Sequence, residues 1–212
     1  MQNYLITGIA GTGKSTVGGA LATRGYKILE TDRVPDNSTN YRVQFDARTN
    51  EPSTYKRGDG WDELQHVRWN IKRDLLLREL NKGAGLQFVC GYANNWDEFK
   101  EDFDGIFLLV ASPSTTKDRL LHRTTGDWGK KHPEELKHAL ETAAEFNRSI
   151  LGLGAVAIDA EQPIDSVVKN ILETVEVASP RIRSTRQSSS TASVNTSASI
   201  ALPSGSRSRS AV

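Results

Sequence analysis

The stretch Tyr4-Leu5-Ile6-Thr7-Gly8-Ile9-Ala10-Gly11-Thr12-Gly13-Lys14-Ser15 decides how the rest of the chain is read. Its first four residues form a short apolar run, and residues 8–15 match the pattern G-x-x-x-x-G-K-[ST]. Glycines let a backbone curl so that successive amide N–H groups converge on one anion. A helix starting at Lys14 adds the partial positive charge of its N-terminus. Lys14 then reaches the outer phosphates of a nucleotide, and the Ser15 hydroxyl suits Mg²⁺. The nucleotide-binding candidates are Gly8, Gly11, Thr12, Gly13, Lys14, Ser15 and Thr16. A plain glycine-rich turn gives no reason for Lys and Ser to follow the last glycine.

Outward from this unit, apolar runs alternate with helical patterns. The first helix is expected from Lys14 to about Thr23, ending near Gly25, with a second strand at Lys27-Ile28-Leu29. Residues 33–60 are polar and show no sustained period, so they read as a long functional loop. Trp61, Leu64, Val67, Ile71, Leu75, Leu76 and Leu80 are spaced as one helix, with Asp59 as its cap. Leu86–Cys90, Gly105–Val110 and Ala155–Ile158 read as further strands. Ser114–Arg123, a segment opened by Pro133-Glu134-Glu135, and Ile164–Val177 read as helices. Short, uniformly apolar strands separated by helices imply an α/β fold, a parallel sheet covered on both faces.

Composition narrows the function. The last 34 residues, 179–212, hold 12 Ser and 5 Arg with no acid, leaving 22 basic and 26 acidic residues before them, a net −4. A mildly acidic body disfavours a nucleic-acid-binding domain. The Ser/Arg tail lacks the apolar residues to fold alone and reads first as a disordered, solvated appendage, with contact to a protein partner as the other reading. Domain boundaries are therefore drawn at 1–178 and 179–212. The single Cys90 excludes an intramolecular disulfide framework and suits a reducing, cytoplasmic setting. No apolar run approaches the ~20 residues of a membrane span. Tyr4–Ala10 lacks a basic flank and reads as a strand, not a signal peptide.

Over about residues 3–177 the sequence resembles the small P-loop kinases related to shikimate, gluconate and nucleoside monophosphate kinases. That resemblance implies a three-layer P-loop NTPase fold with a five-stranded parallel sheet, ATP with Mg²⁺, and a mobile lid, here about residues 119–133. Glu30-Thr31-Asp32 stands where such kinases carry a D-x-D pair. It implies a metal role for Ser15, Glu30 and Asp32, and an acceptor-hydroxyl role for Asp32. The chemistry agrees independently, because a phosphoryl acceptor needs its hydroxyl oriented and its proton accepted. Arg119 and Arg123 match the lid-entrance R-x-x-x-R, one Arg near the adenine and the other at the phosphates. Lys14, Asp32 and Arg123 are the catalytic candidates. Cys90-Gly91-Tyr92 matches a glycine turn lining the acceptor pocket, but no carboxylate ends that strand, and Asp97 lies seven residues on.

Arg42, Arg48, Lys56 and Arg57 are cationic candidates for an anionic acceptor, and the four Trp read mainly as packing. The Gly-x-x-x-x-x-x-Arg signature of nucleoside monophosphate kinases is absent, and so is an N-K-x-D base-reading motif. Two functions stay open: transfer of the ATP γ-phosphoryl to a small-molecule acceptor, and a nucleotide-dependent regulatory ATPase without one.

Overall fold

The computed structural model describes residues 2–32, 40–82, 85–124 and 126–178. Five short strands run parallel in the order β2 (Lys27–Glu30), β5 (Leu86–Cys90), β1 (Gln2–Thr7), β6 (Gly105–Val110), β7 (Val156–Asp159). Each parallel pair needs a crossover, and helices supply the cover: α1 (Lys14–Ala22), α3 (Arg73–Leu80), α4 (Pro113–His122), α5 (Pro133–Glu141), α6 (Ala143–Gly152) and α7 (Ile164–Ala178). Leu5, Val89 and Leu108 point to one face, where Leu76 and Leu80 of α3 and Phe146 and Ile150 of α6 join them. On the other face the rings of Tyr4, Phe88 and Phe107 pack together, and α1 lies over β2 and β5. This is the parallel α/β sheet, covered on both faces, that the strand pattern implied, and the three-layer, five-stranded form that the resemblance implied. Residues 1–175 form one compact unit; of the chain from Glu176 onward only 176–178 are described, so the Ser/Arg tail lies outside the described residues.

The segment before β5 departs from expectation. The long loop at 33–60 contains a strand, β3 (Arg42–Asp46), and the single helix expected over 61–80 is three elements: α2 (Trp61–Leu64), β4 (Val67–Ile71) and α3. β3 and β4 form an antiparallel pair, with Arg42 opposite Ile71 and Asp46 opposite Val67. Val67-Arg68-Trp69-Asn70-Ile71 alternates buried and half-buried, a period of two that the helical spacing of its apolar residues overlaps. The outer edge of β4 is satisfied from elsewhere. Asn94 Oδ1 accepts the Trp69 amide (2.8 Å), and the Asn94 amide donates to the Trp69 carbonyl (2.8 Å). Asn95 grips Ile71 with its side chain alone: Oδ1 accepts the Ile71 amide at 2.8 Å and Nδ2 donates to the Ile71 carbonyl at 3.2 Å. Two asparagines on the segment after β5 thus stand in for a neighbouring strand and tie the hairpin to the sheet. Asp59 does not cap α2: the cap position is Gly60, and Asp59 accepts the Lys56 amide instead. The segment opened by Pro133 breaks at Thr142 into α5 and α6.

Gly91, directly after β5, sits where backbone, Thr31 and Asp32 crowd together. A Cβ there lies 1.8 Å from Thr31 Oγ1 and 3.2 Å from Asp32 Oδ1, and Thr31 is itself buried. Gly91→Ala is therefore predicted to destabilise the fold by about 1–3 kcal/mol through overpacking. Urea unfolding checks this, and an unchanged midpoint would show that the Thr31 side yields without cost.

Candidate active site

Beyond the C-terminal ends of the parallel strands lies a cavity of about 780 Å³, where open α/β sheets bind their ligands. The loop after β1 forms its floor. Gly13 begins α1 with φ 95°, a left-handed conformation that a side chain would strain. Thr12 is buried, and its hydroxyl donates to the Ile9 carbonyl at 2.9 Å, stiffening the curl. Gly11, Thr12, Gly13, Lys14, Ser15 and Thr16 all line the cavity. Gly8 lies just outside that lining and receives Lys14: the ammonium donates to the carbonyls of Gly8 (2.8 Å) and Ile9 (3.1 Å). Burial holds the Lys14 pKa below its ordinary value, with the Asp32 carboxylate partly offsetting that effect.

Asp32 follows β2 and reaches the same cavity. Its Oδ2 lies 3.5 Å from Lys14 Nζ, and its Oδ1 accepts the Tyr92 amide at 2.7 Å and Arg42 Nη1 at 3.4 Å. Arg42 Nη2 also donates to the Asp32 carbonyl at 3.2 Å. The hairpin strand β3 therefore delivers a cation to a carboxylate that lies beside the phosphate loop. Glu30 goes elsewhere: its carboxylate lies 3.6 Å from where a Cβ on Gly18 of α1 would stand, and it does not line the cavity. Asp97 is exposed on the 3₁₀ turn Trp96–Asp102 and does not line it either. Cys90 occupies the end of β5, buried, its thiol pushed up by burial and by the negative charge of Glu30 and Asp32.

Arg119 and Arg123 both line the cavity, though not on one helix face. Arg119 is in the last turn of α4, with Nη2 donating to the Ala160 carbonyl at 2.8 Å and Nη1 3.9 Å from a Cβ placed on Gly13. Arg123 is already past the helix, with extended backbone, and its Nη1 donates to the Trp128 carbonyl at 3.4 Å. Gly126, Asp127 and Trp128 complete that wall. Of the four cationic acceptor candidates only Arg42 reaches the cavity. Arg48 pairs with Asp46 and Glu63, Lys56 is exposed, and Arg57 is bound to Asp127 and Glu135.

An aromatic wall, not foreseen as such in the sequence, closes the side nearest Asp32. Trp69 is its hub, meeting Tyr92 (6.2 Å between ring centroids), Trp128 (5.5 Å) and His138 (5.3 Å), all near perpendicular. The four lie on β4, the Gly91 turn, the turn bearing Trp128 and α5, so no local spacing announces them. His138 is buried and its Nε2 finds no hydrogen-bond partner among the described residues.

A phosphate loop opening onto a carboxylate at the strand ends, on a five-stranded parallel sheet, defines the P-loop nucleotide-binding class. The family model described as AAA domain matches residues 5–139, more than half of the chain, and the chain belongs to that family. No curated protein matches it. Among solved structures, the fold is shared with shikimate kinase from Bacteroides thetaiotaomicron, at 17% identity over 82% of this chain and 98% of that one, TM-score 0.53. It is also shared with deoxyadenosine kinase from M. mycoides with bound dATP, at 15% identity, 82% and 100% coverage, TM-score 0.52. The fold is that of the small P-loop kinases. Among the described residues no helix is long and apolar enough to cross a membrane.

Burial, and then the nearby Arg68, pushes the pKa of His138 down from 6.5 to about 4. The folded chain keeps His138 neutral where the unfolded chain takes up a proton, so stability falls as pH drops from 6.5 to about 4. The loss attributable to this group is at most about 3 kcal/mol. Unfolding free energies of the wild type and His138→Gln across that range isolate it. A difference curve that stays flat would place the proton elsewhere.

Proposed function

We propose that the chain transfers the γ-phosphoryl group of ATP to a hydroxyl of a small-molecule acceptor. One observation carries this reading: the phosphate loop and Asp32 border one cavity, with Lys14 Nζ 3.5 Å from the Asp32 carboxylate. The acceptor oxygen would bond to the γ-phosphorus while the bond to the bridging oxygen breaks and ADP leaves; the hydroxyl proton passes to Asp32. Lys14 and the amides of Gly8–Thr16 neutralise and hold the phosphates. Arg119 lies beside the nucleotide, and Arg123, at the start of a lid over 119–133, steadies charge on the phosphoryl group in flight. Arg42 orients Asp32 and faces the acceptor. The neighbours' fold supports this reading without fixing the acceptor.

Mg²⁺ fits the donors present. The Ser15 hydroxyl and the Asp32 carboxylate both line the cavity, and Mg²⁺ is commonly held by one or two protein oxygens, water and substrate phosphates. It would supply charge neutralisation on the phosphates. Glu30 does not line the cavity. A cytoplasmic setting fits the lone, buried Cys90.

The test is ADP release from Mg·ATP against nucleosides, nucleotides, sugar acids and shikimate-like hydroxy acids, with Lys14→Ala as the blank. One acceptor is expected to raise release well above basal hydrolysis. Asp32→Asn should still bind ATP through the phosphate loop and lose about 10²-fold or more in transfer. Slow hydrolysis indifferent to every acceptor, or full transfer by Asp32→Asn, sinks the proposal and favours a nucleotide-dependent regulatory ATPase.

A further inference from the structure

Arg57 lies between β3 and α2, outside the cavity, yet its guanidinium gathers two other parts of the chain. Its Nε and Nη2 grip the Glu135 carboxylate at the start of α5, at 2.5 and 2.8 Å, and its Nη1 takes Asp127 Oδ1 at 2.5 Å. The guanidinium carbon stands 5.7 Å from the centre of the Trp128 ring. Glu135 is fully buried, and its Oε2 also accepts the Gly129 amide at 2.7 Å. Asp127 is held on its other oxygen by Lys131, at 2.8 Å. Only a planar fork with several donors makes these contacts at once; a lysine ammonium does not.

The consequence reaches the cavity. The turn bearing Asp127, Trp128 and Gly129 is fixed at each of these residues by Arg57 or its partner Glu135. The Trp128 carbonyl in that turn accepts Arg123 Nη1. Asp127, Trp128 and Arg123 line the cavity, while Arg57 and Glu135 do not. Support of α5 alone needs only the pair with Glu135; the arm to Asp127 is partly exposed and adds little to stability.

We propose that Arg57 is a positioning residue that pins the 126–131 turn over the cavity and so sets where Arg123 meets the phosphates. The role of Arg123 in this inference rests on the phosphotransfer reading; the pinning itself does not.

Asp127→Asn tests it, because this change leaves the buried Arg57–Glu135 pair intact. Hydrogen exchange of the amides in the 126–131 turn of the full chain reads the pinning directly. It should quicken about tenfold in Asp127→Asn while the thermal midpoint barely moves. Calorimetry with Mg·ATP and Mg·ADP reads the consequence. The preference for ATP over ADP should fall about tenfold in Asp127→Asn and in Arg123→Gln, and no further in the double variant. Removing an acid beside the phosphates would by simple charge tighten ATP, so a loss carries the opposite sign to that trivial effect. Unchanged exchange, a tightened ATP, or additive losses in the double variant would overturn the proposal. Should the wild type transfer to no acceptor, the phosphotransfer reading fails, and the exchange result still decides the pinning.

Discussion

The site turns on the hold that a buried lysine keeps on two carbonyls and one carboxylate. Lys14 is removed from water, and removal from water opposes its charge, so the fold must supply oxygens. It does so with the carbonyls of Gly8 and Ile9 and, a little farther off, Asp32. Asp32 in turn is held by the Tyr92 amide and by Arg42. Four segments distant in sequence therefore converge on one ion cluster, and that cluster sits where phosphates enter. A phosphate chain offers Lys14 a better set of oxygens. Taking them would release Asp32 from one of its two cations, just when an acceptor hydroxyl needs a proton acceptor.

The rest of the molecule serves that convergence. Parallel strands bring β1, β2 and β5 to one edge with their C-terminal ends level, which places the loop, Asp32 and Gly91 within a few ångströms of one another. The β3–β4 hairpin brings Arg42 and Trp69 from outside the sheet, and Asn94 and Asn95 fasten it to the segment after β5. The turn after α4 then closes the third side with Arg123 and Trp128.

How much of this the sequence shows depends on whether the deciding contacts are local. The loop at 8–15, the five strands and the start of α5 were legible because each rests on neighbours in the chain: an apolar run, a glycine requirement, a proline at the first helical turn. β4 was not legible as a strand. Val67, Trp69 and Ile71 fit a period of two, while Leu64, Val67, Ile71 and Leu75 fit a helix, and what settles the matter is a pair of asparagines more than twenty residues away. Arg42 and Arg57 look alike as loop cations. Only the packed chain shows one at Asp32 and the other against a buried glutamate. Glu30 and Asp32 likewise share one short motif. The strand end turns the first carboxylate toward α1 and leaves the second to face the phosphate loop.

The most direct test is a crystal structure with Mg²⁺ and a non-hydrolysable ATP analogue. Lys14 Nζ should stand within hydrogen-bond distance of a phosphate oxygen and withdrawn from the Gly8 and Ile9 carbonyls, with an Asp32 oxygen facing open cavity. An analogue bound with Lys14 still on those carbonyls, or phosphates seated away from residues 8–16, would contradict it.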